Sequence, residues 1–196
     1  MGKIQKIEID VNVGFDSSVQ ANKSTIDKVW QQIDTFKDDI EYCCNTYSMA
    51  CDTEVRTHFD WDNNNKPAPA SSGVYHPSDQ NGINGDPQLS QNIKNISGDP
   101  VGVNLLVTNA LVPNLRGYDI DPDGLNGPVP PDGVVINVGQ VAPDTTSHEI
   151  GHYVGMPHEP SDDPNNRMTR GAKRDIFSSS TLPDQTTCQA YQSLAH

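Results

Sequence analysis

Residues 148–158 read HEIGHYVGMPH, and the interpretation of the whole chain starts from this stretch. It contains three of the 6 histidines in a chain of 196 residues. His148 and His152 are four positions apart, so on a helix both imidazoles lie on one face, about one turn from each other. That spacing suits two ligands of a single tetrahedral metal ion. The stretch therefore predicts a metal centre.

The neighbouring residues predict the helix that this spacing requires. Asp144 follows Pro143 and is of a residue type that often caps a helix N-terminus, whereas Gly155 readily adopts the left-handed conformation that ends one. We therefore expect a helix over residues 145–154. The turn at Gly155 then brings His158 back toward the helix as a third ligand.

Three imidazoles leave the fourth position of a tetrahedral zinc ion open, which is typical of catalytic zinc rather than structural zinc. Glu149 directly follows the first ligand, so its carboxylate can act as general base toward a water whose pKa zinc lowers to about 7. The same carboxyl group can then pass the proton to a leaving amine, so the pattern predicts amide hydrolysis. Histidines on a solvated helix face are the alternative, but five fixed positions within eleven residues are too specific a pattern for that.

The stretch resembles the extended zinc signature HExxHxxGxxH of the metzincin metallopeptidases. The matching residues are His148, Glu149, His152, Gly155 and His158. This resemblance implies zinc bound by the three histidines, with Glu149 as general base and acid. It also implies a methionine in a tight turn beneath the metal, and the downstream segment NNRMTRG offers Met168. A lone core methionine is the alternative there.

The segments LLVTNAL, RGYDIDPDG and DGVVINVG, which precede the signature, resemble the pappalysin branch of this family. In that branch a strand, an edge strand and a further strand lead into the zinc helix, and an extended substrate pairs with the edge strand through its main chain. We expect that edge at residues 117–120. Glu159, after the third histidine, resembles the astacin pattern instead, whereas Arg170 stands where astacins have a tyrosine. The family resemblance covers about residues 100–190 and leaves the branch open.

The hydrophobic pattern predicts a twisted sheet with helices, one of them long. The resemblance implies that this fold is α+β and metzincin-like, with a mixed sheet, the long helix behind it and the zinc helix. Alternating apolar residues over 7–13 are typical of a half-buried strand, and apolar residues at helical spacing predict a helix from 25 to about 43, with Ser24 as its N-cap. Further strands are expected at 55–61, 101–111 and 133–139, a short helix at 87–96, and a last helix within 184–195.

We expect a single catalytic domain over residues 1–196. Its upper part, 1–155, would supply the sheet, the long helix and the zinc helix. Its lower part, 156–196, would be a small subdomain with the third ligand, the methionine turn and the terminal helix.

Composition restricts partners and compartment. A net charge of −13 argues against nucleic acid or an anionic membrane surface as a partner, and no apolar run is long enough to span a bilayer. The first ten residues lack an apolar signal core, and there is no cysteine-switch motif of a propeptide. With the cysteines described next, this leads us to expect a secreted monomer, in the form of a mature catalytic unit whose leader lies outside this sequence.

The four cysteines are Cys43, Cys44, Cys51 and Cys188, and no two of them have CxxC spacing. An even number without metal-ligand spacing favours two disulfides formed in an oxidising compartment. We expect Cys51 to pair with Cys43 or Cys44, and Cys188 with the one that remains. Four reduced cysteines in the core are the alternative.

Asp119, Asp121 and Asp123, followed by Gly124, resemble the start of a calcium loop. Pro130 stands at the twelfth loop position, where an EF-hand needs a bidentate glutamate, so an EF-hand is excluded. A calcium site of another kind and a solvated acidic loop both stay open.

The function expected from these residues is that of a zinc endopeptidase acting on an extended peptide or protein substrate. A zinc-stabilised binding or adhesion module without turnover is the first alternative. A zinc amidohydrolase with a non-peptide substrate is the second. Glu149 favours an enzyme, because a purely structural zinc site needs no adjacent carboxylate.

Overall fold

A computed structural model describes residues 7–60, 87–111, 116–120, 133–161, 163–169 and 181–195 of the chain. These residues form a mixed α+β structure. Its elements in chain order are β1 Ile7–Phe15, α1 Lys23–Tyr47, β2 Thr53–Phe59, α2 Pro87–Lys94, β3 Val103–Thr108, β4 Gly117–Ile120, β5 Gly133–Asn137, α3 Thr145–Tyr153 and α4 Gln185–Gln192. Within the described ranges, no helix is long and apolar enough to cross a membrane.

The five strands form one mixed sheet in the order β2-β1-β3-β5-β4. Four of them are mutually parallel, and β4 runs antiparallel to β5 at one end of this order. Parallel neighbours need a crossover connection, and α1 provides it between β1 and β2. The strand expected at residues 117–120 is confirmed as β4, and its position makes it an edge strand among the described residues.

Helix α1 is longer than the apolar pattern predicts, because polar contacts fix both of its ends. Asn22 rather than Ser24 is the N-cap, and its Oδ1 accepts from the Thr25 amide at 3.1 Å. At the other end Ser48 is left-handed, and its amide donates to the Cys44 carbonyl at 2.9 Å. The apolar residues that the helix buries are Val29, Ile33, Phe36, Ile40 and Cys43.

Strand β1 is buried on both faces, so the prediction that this strand is half-buried is wrong. Asp10 and Asn12 are only 3% and 1% exposed. The loop before β3 covers Asn12, whose side chain donates to the Asp99 carbonyl at 2.7 Å and accepts from the Asp99 amide at 2.9 Å. Asp10 lies 2.5 Å from Nε2 of His58 on β2. The alternation is present, but its polar side chains are satisfied by protein groups rather than by water.

Two disulfides are formed, in one of the two pairings that the sequence favours. Cys43–Cys188 joins α1 to α4, and Cys44–Cys51 closes the turn after α1. Cys43 and Cys188 are fully buried, as is Tyr191 on α4, whose ring meets Phe36 of α1 edge-on at a centroid distance of 5.2 Å. Helix α4 therefore belongs to the same core as α1.

We expect the two disulfides to contribute unequally to stability. Loop-closure entropy gives about 5 kcal/mol for a bridge across 145 residues and about 2 kcal/mol across 7 residues. The free energy of unfolding in urea should therefore fall further in Cys43→Ala/Cys188→Ala than in the control Cys44→Ala/Cys51→Ala. Equal losses in the two double variants would contradict a special role for the bridge between α1 and α4.

Candidate metal centre

Helix α3 carries the first two histidines of the motif and begins and ends close to where the sequence predicts. It spans Thr145–Tyr153, and Gly155 follows it with a φ of 86°, the left-handed conformation expected there. The backbone turn at Gly155 lets the chain leave the helix and return with His158.

The backbone amides at the start of α3 are not capped by Asp144, as the sequence predicts, but by Gln32. Asp144 precedes the helix, but its side chain makes no capping hydrogen bond. Gln32 of α1 takes over this role: its Oε1 accepts from the Thr146 amide at 3.0 Å, and its Nε2 donates to the Ala142 carbonyl at 2.6 Å. A residue more than a hundred positions away therefore satisfies one of the amides that a helix start leaves unpaired.

The imidazoles of His148, His152 and His158 converge. Nε2 of His152 lies 3.2 Å from Nε2 of His148 and 3.3 Å from Nε2 of His158, and the three groups could hold one metal ion. Two nitrogens bound tetrahedrally to zinc at about 2.05 Å lie about 3.3 Å apart. The donor set and these separations fit zinc.

Backbone carbonyls orient two of the rings. Nδ1 of His148 donates to the Arg167 carbonyl at 2.7 Å, and Nδ1 of His152 donates to the Met156 carbonyl at 2.7 Å. Because a carbonyl can only accept, Nδ1 carries a proton in each ring, and in the neutral form of the ring this leaves the lone pair on Nε2. This is the tautomer that a metal ligand at Nε2 requires.

The carboxyl group of Glu149, on α3, lies next to the edge strand β4. Glu149 is buried, and Gly117 at the start of β4 approaches it so closely that a Cβ there would lie 2.7 Å from Glu149 Cγ. The same Cβ would lie 2.8 Å from Cγ2 of Thr145. Only a glycine fits between this helix and this strand, so Gly117 brings β4 next to the candidate general base.

Met168 is buried in a turn that packs against α3. Its sulfur lies against Gly151 of that helix, where an added Cβ would collide with it. The Met168 amide donates to Oδ1 of Asn166 at 2.8 Å, and its carbonyl accepts from the Glu159 amide at 2.9 Å. The turn therefore packs against α3 and is hydrogen-bonded to Glu159, the residue after the third histidine.

Arg167, next to Met168, carries a guanidinium that is buried and bonded at all three nitrogens. Nε and Nη2 donate to the two carboxylate oxygens of Asp39 on α1 at 2.8 and 2.7 Å. Nη1 donates to Thr181 Oγ1 at 2.6 Å and lies 3.0 Å from Oδ2 of Asp144. Asp39 also accepts from the hydroxyl of Ser147 on α3. The network joins α1, the start of α3 and the segment before α4.

Within this network, Asp39 and Arg167 each change the pKa of the other. Burial raises the pKa of Asp39, and the Arg167 guanidinium opposes that rise. Burial alone would lower the pKa of Arg167, but the charge and hydrogen bonds of Asp39, together with Tyr191 and Asp144, outweigh burial and raise it, so Arg167 stays cationic. Two parallel hydrogen bonds between guanidinium and carboxylate are the strong, charge-assisted geometry for such a pair.

Little in the sequence predicts this network or the role of Gln32. Asp39 does fall between Phe36 and Ile40 on the buried side of α1, and a charged residue in that position indicates a buried partner. Arg167 stood out only as one of several charges in its segment. Nothing local connects it to a residue on the first helix.

Other expected site residues fall outside the described part of the chain. Asp121 and Asp123 are among them, and of Asp119 only the backbone, in β4, is described. Calcium binding at these residues therefore stays a prediction. Arg170, which bears on the choice of branch, also lies outside the described residues.

Comparison with known proteins supports the fold. No protein-family model matches the sequence, and a search of curated proteins finds no match. The solved structure of metalloproteinase-II from Bacteroides fragilis is similar, with a TM-score of 0.57 at 12% sequence identity. The similarity covers 95% of this chain and 51% of that one, so the chain spans about half the length of that metalloproteinase. At this identity the likeness concerns the fold, and the chain has a fold similar to that of a metalloproteinase.

Proposed function

We propose that this chain is a zinc-dependent endopeptidase of the metzincin type. The proposal rests mainly on the convergence of three imidazole nitrogens, two of them on a helix in which Glu149, the residue after the first histidine, is buried next to an edge strand. The fold likeness to a metalloproteinase is consistent with it. His148, His152 and His158 would hold the zinc ion.

Zinc bound at this site would lower the pKa of a coordinated water to about 7 and polarise the carbonyl of a substrate. Glu149 would accept the proton of the attacking water as general base and deliver it to the departing amine as general acid. Its carboxyl group is buried beside Gly117 of β4, and in the chain Glu149 directly follows the ligand His148, so it lies next to both the edge strand and a metal ligand residue. Met168 would form the floor of the site through its contact with Gly151.

The substrate would be a peptide or protein bound in extended form along β4. An edge strand has unpaired main-chain groups that can pair with an added strand. Gly117 sets the distance between that strand and Glu149, so a peptide paired with β4 would pass beside the carboxyl group. The single catalytic domain would place this cleft between residues 1–155 and residues 156–196.

Two disulfides and the lack of a membrane-spanning helix in the described residues are consistent with an extracellular protein. We propose that the protein is secreted and acts as a monomer with one catalytic zinc ion. The choice of branch within the metzincins, and calcium as a second ion, would follow from residues outside the described ranges.

The purified protein should bind one zinc ion per chain through the three histidines. Replacing His152, whose Nε2 lies close to both other rings, should raise the Kd for zinc by more than the 10–100-fold typical of losing an outer partner. The measurement is zinc competition against a chelator of known affinity, with His58→Ala on β2 as the control. Equal zinc affinity of His152→Ala and His58→Ala would contradict the assigned ligand set.

The zinc-loaded protein should cleave an unfolded protein substrate, and a zinc chelator should stop the cleavage. Glu149→Ala should lower kcat/KM by about 10²–10⁴-fold, the contribution typical of a general base, while zinc stays bound. Glu149→Gln, which keeps the shape and removes the basicity, should lose as much.

Activity that survives Glu149→Ala would rule out the proposed mechanism. Zinc binding without cleavage of any of several unfolded proteins would favour the adhesion module. Turnover of small non-peptide amides under the same conditions would favour the amidohydrolase.

Gly117→Ala should reduce peptide hydrolysis without removing zinc. The added methyl group would displace Glu149 or move β4, and a misplacement of about 1 Å can cost roughly 10²-fold in rate. The control is Gly139→Ala after β5, where a Cβ would come no closer than 3.2 Å to its neighbours. Wild-type kcat/KM in Gly117→Ala would mean that the space between β4 and α3 is unimportant for the reaction.

A further inference from the structure

The carbonyl that orients the first histidine belongs to a residue whose own side chain is fixed in the protein interior. Arg167 accepts from Nδ1 of His148 through its backbone oxygen, at 2.7 Å. Its amide donates to the Leu182 carbonyl at 2.9 Å. The position of the Arg167 carbonyl therefore depends on the contacts that hold the backbone and the side chain of Arg167.

The side chain of Arg167 is held on three sides. Asp39 on α1 binds it through two parallel hydrogen bonds, Thr181 accepts a third at 2.6 Å, and Asp144 at the start of α3 lies 3.0 Å from Nη1. The side chains of Arg167 and Asp39 are 4% and 2% exposed, so water does not compete for these bonds. A planar fork with three fixed partners restricts both the position and the rotation of the residue that carries it.

We propose that Arg167 is a positioning residue for the zinc ligand His148. The Asp39–Arg167 ion pair fixes the Arg167 carbonyl against Nδ1 of His148, which fixes the ring so that Nε2 faces the metal. Partners of this kind orient a ligand and raise its basicity, and losing one typically costs 10–100-fold in metal affinity. This inference rests on the proposed zinc site and assigns to it a residue that touches neither metal nor substrate.

If Arg167 contributed only to stability, its replacement would change the unfolding midpoint but not the zinc affinity. Arg167 also joins α1 to the segment before α4, so any change there destabilises the fold. Lower stability by itself does not change the zinc affinity of the molecules that remain folded. Zinc affinity measured well below the unfolding midpoint therefore separates positioning from stability.

The test compares zinc dissociation constants of Arg167→Lys, Arg167→Met and Asp39→Asn, measured by competition with a chelator of known affinity. Lysine keeps the charge but lacks the fork, methionine keeps approximate length and removes the charge, and Asp39→Asn leaves Arg167 in place with a neutral partner. The control is Leu89→Ala on α2, a fully buried residue in a separate apolar cluster without any of the histidines. Near-ultraviolet circular dichroism and thermal unfolding of the zinc-free proteins establish that each variant is folded.

The expected result is a Kd for zinc raised by about 10–100-fold in Arg167→Lys and Arg167→Met and by less in Asp39→Asn. Leu89→Ala should keep the wild-type Kd even where its thermal midpoint falls as far. Folded Arg167 variants with the wild-type Kd would overturn the proposal. So would loss of the fold in all three variants, because Arg167 would then support the whole structure rather than one ligand.

The wild-type protein separates this inference from the function it rests on. If wild type binds zinc and His148→Ala does not, but Arg167→Lys binds like wild type, only the positioning role fails. If wild type itself binds no zinc, the proposed function fails and the inference fails with it.

Discussion

Nε2 of His152 is held 3.2 Å from Nε2 of His148 and 3.3 Å from Nε2 of His158, and much of the surrounding structure supports this convergence. Nitrogen lone pairs directed at one point do not attract each other, so without a cation the arrangement must be held by its supports. Nδ1 of His148 donates to the Arg167 carbonyl, and Nδ1 of His152 donates to the Met156 carbonyl. The Met156 carbonyl lies just after α3, whereas the Arg167 carbonyl belongs to a residue that is bound by the long helix α1.

Helix α1 is the common reference for these supports, although it contributes no ligand. Gln32 satisfies the first turn of α3, and Asp39 holds Arg167. Cys43 joins α1 covalently to α4. These three residues lie along the buried side of α1. This one helix therefore sets the positions of α3, of the segment before Met168 and of α4.

The parts of the site that sequence could predict are those encoded by neighbouring residues. Residues 145–154 were expected to be helical and the helix ends one residue earlier, while the left-handed Gly155 and the strand at 117–120 lie where expected. Local chemistry settles the end of the helix, because a left-handed conformation is easiest for glycine, whereas the strand at 117–120 is expected from the family resemblance. The spacing of the histidines suffices to predict that their rings meet.

Two of the errors, at Asp144 and on β1, share one cause: a partner distant in sequence outweighed the local preference. Asp144 has the side chain of an N-cap, but the buried Arg167 offers it a charged partner and Gln32 occupies the capping role. Asp10 and Asn12 alternate with apolar residues as on a half-solvated strand, yet the loop before β3 covers that face. No window of neighbouring residues contains those partners.

Glu159, which resembles the astacin pattern, makes its contacts with residues nearby in the sequence. Its amide donates to the Met168 carbonyl, and its carboxylate accepts from the Ser161 amide at 2.8 Å and lies 3.5 Å from Nδ2 of Asn166. These contacts close the turn that follows His158 and join it to the turn containing Met168. Glu159 is thus accounted for by local hydrogen bonding, and its match to the astacin pattern does not by itself indicate a relationship to that branch.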